Sequence, residues 1–184
     1  MILPVYVYGH PVLRKKSMEI TMDYPKLQEL IADMFETMYH DQGVGLAAPQ
    51  IGKPIRLFVV DTSAYTESNP ETEPFKGVFI NPVITNEFGK DFTFNEGCLS
   101  IPDLHADITR KSEVEISYLD ENGKQYQKVF NDLSARVIQH EYDHLEGKVF
   151  VDYLPAVKKM VIKRKLSDIA SGKHKPSYRS ICAK

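Results

Sequence analysis

The pentapeptide His140-Glu141-Tyr142-Asp143-His144 sets two imidazoles four residues apart. On an α-helix that spacing turns both toward the same point. The glutamate after the first histidine can then hold a water against a metal bound there. Cys98, in a separate upstream segment, offers a thiolate as a third ligand of a different chemical kind. Three protein ligands with one open position describe a catalytic metal site, not a structural one.

The pattern is short enough to arise by chance on an ordinary amphipathic helix, so its surroundings matter. Asn131 or Asp132 can cap a helix start. Leu133 and Val137 precede His140, Ile138 and Leu145 fall on neighbouring faces, and Gly147 is placed to end the helix. Two common metallopeptidase patterns fail on the third ligand. One takes a glutamate from a downstream helix, and no glutamate follows Glu146. The other extends to HExxHxxGxxH; Gly147 fits, but the last position is Phe150. Cys98 remains, within Glu96-Gly97-Cys98-Leu99-Ser100.

Three segments together resemble the signature motifs of peptide deformylases, in the same order. They are Gly43-Val44-Gly45-Leu46-Ala47-Ala48-Pro49-Gln50, Glu96-Gly97-Cys98-Leu99-Ser100 and Gln139-His140-Glu141-Tyr142-Asp143-His144. The similarity runs from about Val5 to Leu154. It implies hydrolysis of the N-formyl amide on the initiator methionine of nascent chains, with release of formate. Cys98, His140 and His144 would hold the metal, and its bound water would attack the formyl carbon. Glu141 would act as general base and then acid. The Gln50 side chain and the Leu99 N–H would stabilise the oxyanion. Gly45 and Gly97 would bond the substrate backbone in strand fashion. Val44, Phe94, Glu96, Leu133, Arg136 and Val137 would surround the methionine. Two imidazoles and a thiolate suit zinc, whereas the resemblance implies Fe2+, with Ni2+, Co2+ or Zn2+ as substitutes.

The chain departs from the commonest family pattern at two places. Arg136 stands one turn before His140, where many members carry an apolar residue, and His105 stands for a frequent arginine. An arginine beside an apolar pocket needs an acid partner or a route for its charge to water. Both departures bear on side-chain preference, not on the reaction. His10, His40 and His174 have no ligand partner at a suggestive spacing and read as surface or structural residues. Asp143 reads as a support for the helix or for a ligand imidazole.

A chain of 184 residues makes one domain with a real core. We expect a single catalytic domain over residues 1–172 and a basic, flexible tail over 173–184. No apolar stretch is long enough to span a bilayer, and no signal peptide is visible. The expected location is cytoplasmic, where Cys98 and Cys182 stay reduced. The net charge of −2 hides an asymmetry: residues 156–184 carry nine Lys and Arg against Asp168 alone. Composition alone favours a solvated basic helix; the resemblance favours contact with ribosomal RNA. No membrane or DNA partner is expected.

The element pattern is α+β. Asp23 and Pro25 open a helix whose Leu27, Leu30, Ile31, Met34 and Met38 form a core stripe. Arg56–Val60 reads as a buried strand, and Thr62–Lys76 as a polar surface loop. Val78–Ile80, Phe92–Phe94 and Val114–Tyr118 read as strands. Asn122-Gly123 marks a hairpin turn into a strand over residues 125–130. A last helix begins near Pro155. We therefore expect mostly antiparallel sheets packed around a central metal-binding helix, with an N-terminal and a C-terminal helix. A general zinc peptidase and a non-catalytic RNA-binding protein are the alternatives. The missing downstream ligand argues against the first. The intact Gln50, Cys98, His140, Glu141 and His144 set argues against the second.

Overall fold

Leu57-Phe58-Val59-Val60 is apolar at every position, which suits a strand covered on both faces. A computed structural model of the chain describes residues 1–66 and 73–183. Strand β1 (Val5–Tyr6) and a 3-10 turn (Pro11–Arg14) lead to helix α1 (Leu27–His40). Strands β2 (Gly45–Ala47) and β3 (Leu57–Asp61) flank a second 3-10 turn, Ala48–Ile51. The one-turn helix α2 (Ser63–Thr66) comes before two long strands, β4 (Lys76–Cys98) and β5 (Ile101–Leu119). Strand β6 (Gln125–Asn131) runs into helix α3 (Asp132–Leu145). A third 3-10 turn (Phe150–Tyr153), helix α4 (Ala156–Ala170) and strand β7 (Ser180–Ile181) complete the order.

The sheet β2-β3-β4-β5-β6 is antiparallel throughout. Successive strand residues face opposite ways, and the two faces are buried by different helices. Leu57, Val59, Val78 and Ile80 pack with Leu30, Ile31, Met34 and Met38 of α1. Phe58, Val60, Phe79, Val114 and Ile116 pack with Ala135, Val137, Ile138 and Leu145 of α3. The helix carrying the histidine motif is thus a core helix, with eleven of its fourteen residues buried. A third cluster joins Ile101, Leu104 and Ile108 of β5 to Phe150, Leu154, Leu166 and Ile169.

The expected short strands near Val78 and Phe92 are parts of one ribbon. Register shifts between Ile80 and Val83, Ile84 and Asn86, Phe88 and Asp91, and Glu96 and Cys98 interrupt its pairing with β5; such bulges bend and twist a strand. Its middle is largely exposed, so it carries no apolar period to read. Helix α1 starts at Leu27 because Lys26 takes a left-handed conformation (φ 57°). Asn131 occupies the N-cap of α3 without a side-chain bond. Within the expected 62–76 loop, residues 67–72 lie outside the described residues; its first part forms α2.

Residues 173–183, expected to be flexible, run back to the start of the chain, where β7 pairs in parallel with β1. Val5 N–H donates to Arg179 O and Val7 N–H to Ile181 O, each at 2.9 Å. Cys182 packs against the third cluster. Two-residue strands have no periodicity that a sequence reading can use.

Gly147 follows the end of α3 with φ +72°, and a Cβ there would lie 2.6 Å from the Arg14 carbonyl oxygen. A left-handed alanine and a backbone clash both oppose substitution. Gly147→Ala should destabilise the protein by roughly 1–3 kcal/mol, read as a lowered midpoint in chemical denaturation.

Candidate metal centre

Cys98 closes β4, while His140 and His144 lie one turn apart on α3. Their ligand atoms all fall within 4.8 Å of one another. Cys98 Sγ is 3.3 Å from His144 Nε2. His140 Nδ1 is 2.9 Å from Glu96 Oε2, so a carboxylate orients this ring and leaves Nε2 for the site. Burial lowers the pKa of His144 and keeps its imidazole neutral, the form that offers a lone pair. Burial also opposes a proton on His140, but contacts with Cys98 and Glu96 override it. A soft sulfur and two imidazoles fit a divalent transition-metal ion.

Glu141 is 4% exposed, and its Oε2 has no hydrogen-bond partner among the described residues. Burial raises its pKa to about 7, which suits a group exchanging protons near neutrality. Gly45 of β2 lies against it: a Cβ there would come within 2.5 Å of Glu141 Oε1. Only a bare backbone leaves the carboxylate its place. Gln50 is buried, and its orientation is fixed. Its Oε1 accepts from Ala47 N–H at 2.8 Å, and its Nε2 donates to Ser100 Oγ at 3.2 Å and faces Cys98 Sγ at 3.5 Å.

The cluster opens onto a cavity of about 700 Å³. Cys98, His140, Glu141, Gln50 and Leu99 border it, as do Val44, Gly45, Phe94, Gly97 and Val137. Leu133, expected among the methionine-pocket residues, is buried on α3 but does not border the cavity. Glu96 and Arg136 border it, yet their polar atoms serve one another. Arg136 Nη1 donates to Glu96 Oε1 at 2.8 Å and to Ile108 O at 3.0 Å, and Nη2 donates to Phe92 O. The guanidinium thus meets an acid and two carbonyls instead of reaching water. Burial lowers the Arg136 pKa against the pull of Glu96.

Arg110, which the sequence reading left out, completes this network. It binds Glu96 through Nε at 2.7 Å and Nη2 at 3.1 Å, and Asp143 through Nη1 at 2.7 Å. Tyr153 Oη donates to Asp143 Oδ2 at 2.9 Å. Burial would raise the Glu96 pKa, but bonds from His140 and Arg110 outweigh it and hold the carboxyl well below its usual range. The outward-inward alternation of β5 gave one signal for Arg110, an inward charge on a strand beside a buried helix. His105 borders the cavity beside Gly97. His10 accepts from Val12 N–H, and His40 and His174 pair with Asp41 and Asp103, so none joins the centre.

A family model described as polypeptide deformylase matches residues 2–160. The chain belongs to that family. It is 50% identical to the peptide deformylase of Flavobacterium johnsoniae over 97% of this chain and 95% of that one. The peptide deformylase of Christiangramia forsetii is 47% identical over the same shares. Among solved structures, the peptide deformylase of Legionella pneumophila superposes with a TM-score of 0.81 at 38% identity, covering 96% of this chain and 100% of that one. The Thermus thermophilus enzyme gives 0.80 at 36%, covering 92% and 98%.

Glu96→Gln tests the carboxylate that orients His140. An amide can accept from the arginines or from His140, but not from all at once, and it brings no charge. Affinity for the divalent ion should fall about 10–100-fold, measured by chelator competition.

Proposed function

We propose that Cys98, His140 and His144 hold one divalent ion, Fe2+ in the cell, and that the residues around them remove the formyl group from nascent polypeptides beginning with formyl-methionine. The observation that carries this reading is the convergence of those three ligand atoms beside a buried, unpaired glutamate on a cavity that also receives Gln50 and Leu99. Membership of the deformylase family makes the enzyme a metal-dependent hydrolase of formylated N-termini. When bound, the ion supplies Lewis acidity and makes water a nucleophile near neutral pH.

Glu141 takes the proton from the attacking water and returns it to the departing amine nitrogen. A new carbon–oxygen bond forms, the amide carbon–nitrogen bond breaks, and formate and a free N-terminus result. The raised pKa of Glu141 matches both transfers. Negative charge collects on the formyl oxygen, where the Gln50 amide and the Leu99 N–H donate. Ala47 and Ser100 hold the Gln50 amide in place, and its second N–H, which faces Cys98 Sγ, is the one that turns to the oxyanion. Val44, Phe94 and Val137 offer an apolar wall for the methionine side chain. The backbones at Gly45 and Gly97 offer bonds blind to side chains. Glu96 and Arg136 shape the pocket indirectly, through His140 and the β4 and β5 backbones.

Residues 1–172 form the catalytic domain in this reading, and the segment after them borders its cavity through Pro176, Ser177 and Tyr178. Contact with the ribosome is assigned to α4 and the basic segment after it. Lys158, Lys159, Lys163 and Arg164 are exposed there, beside exposed Val157, Met160 and Val161. No helix among the described residues is long and apolar enough to cross a membrane. A cytoplasmic setting suits two free cysteines and a substrate leaving the ribosome.

The test is formate release, under anaerobic conditions, from formyl-methionyl peptides beside their acetyl and free-amine counterparts. Only the formyl peptide should react. Glu141→Ala should keep its metal and lose about 10²–10⁴-fold in turnover; full activity in that variant would remove Glu141 from the proton path. Cys98→Ala should lose metal as well as activity, measured by elemental analysis; unchanged metal content would take Cys98 out of the ligand set.

A further inference from the structure

The end of the β4–β5 hairpin, residues 98–103, carries both Cys98 and Leu99, and strand pairing does not hold it alone. Three tethers reach it from the C-terminal part of the chain. Tyr178 Oη donates to the Leu99 carbonyl. His174 Nε2 lies 2.8 Å from Asp103 Oδ2, and Lys165 Nζ donates to Asp103 O. A fourth tether comes from the chain start, where Tyr8 N–H donates to Ser100 O at 2.7 Å. Asp103 itself sits in a left-handed conformation at φ 54°, a strain that outside contacts must hold. Pro176, Ser177 and Tyr178 also border the same cavity as His140, Glu141 and Gln50. The pairing of β7 with β1 fixes this segment from behind.

We propose that Tyr178 is a positioning residue for deformylation: by holding the Leu99 carbonyl it anchors one side of the Leu99 backbone and so limits how the N–H on the other side of its Cα can turn toward the cavity. This rests on the proposed role of that N–H as an oxyanion donor. The geometry favours such a role over simple packing. The phenol makes its hydrogen bond to the one residue of the connection that would act on the substrate. Burial holds the Tyr178 proton more firmly than in a free phenol, so the hydroxyl remains a donor. A donor matters to the oxyanion only as charge develops, so tilting it affects turnover and spares ground-state binding.

Tyr178→Phe keeps the ring and removes the donor. Steady-state kinetics on a formyl-methionyl peptide should show kcat reduced about ten-fold, less than the 10²–10³-fold seen when such a donor is lost outright. KM should stay within about two-fold and metal content should not change. Tyr178→Ala should lower kcat at least as far. A Tyr178→Phe enzyme with wild-type kcat, or one that loses activity only through KM, overturns the positioning role and leaves deformylation standing. Absence of formate release from the wild-type, metal-loaded enzyme overturns deformylation and this inference together.

Discussion

The Glu96 carboxylate is the contact on which the centre depends. It sits on β4, is almost wholly buried, and is met by Arg110 from β5 and by Arg136 and His140 from α3. Ions taken out of water cost several kcal/mol each unless mutual attraction and hydrogen bonds offset the loss. Here two acids, Glu96 and Asp143, answer two arginines within one connected set. Loss of any one member would leave a buried charge unpaired, and the intact set locks two strands to one helix. That same lock aims the His140 ring. Stability and the orientation of this imidazole are settled by one group of contacts, which is why a polar helix can lie in the middle of the core.

Much of the site was legible in the sequence, because its chemistry is local. The four-residue spacing of His140 and His144 needs only a helix, and the alternation around Val114 and the Met and Leu stripe of α1 identify their elements. Other features depend on distant partners and left no mark. Arg136 looked like a misfit in an apolar pocket until Glu96, forty residues earlier in sequence, supplied its acid. Glu96 itself read as a pocket residue, because nothing in its segment points to Arg110. The long β4–β5 ribbon read as fragments, since its exposed middle follows no hydrophobic period. Strands β1 and β7 were missed because two residues cannot establish a period.

Function and fold meet at β2. This three-residue edge brings Gly45 against Glu141 and leads directly into the turn that holds Gln50. A short strand is stiff when both neighbours are fixed, as here by β3 on one side and α3 beneath. Glu141, packed against this strand, and Gln50, in the turn that follows it, thus take their placement from one short, rigid support.

The parallel pairing of β1 with β7 has a consequence for synthesis. Residues near the start of the chain must wait for residues near its end before their backbone bonds can form, and such distant closures are slow in folding. The connection bearing Leu99 takes tethers from both ends. During translation the sheet and the histidine helix can assemble first, while the cleft stays unfinished. The strand pair behind the cleft can therefore form only once residues 180–181 have been made.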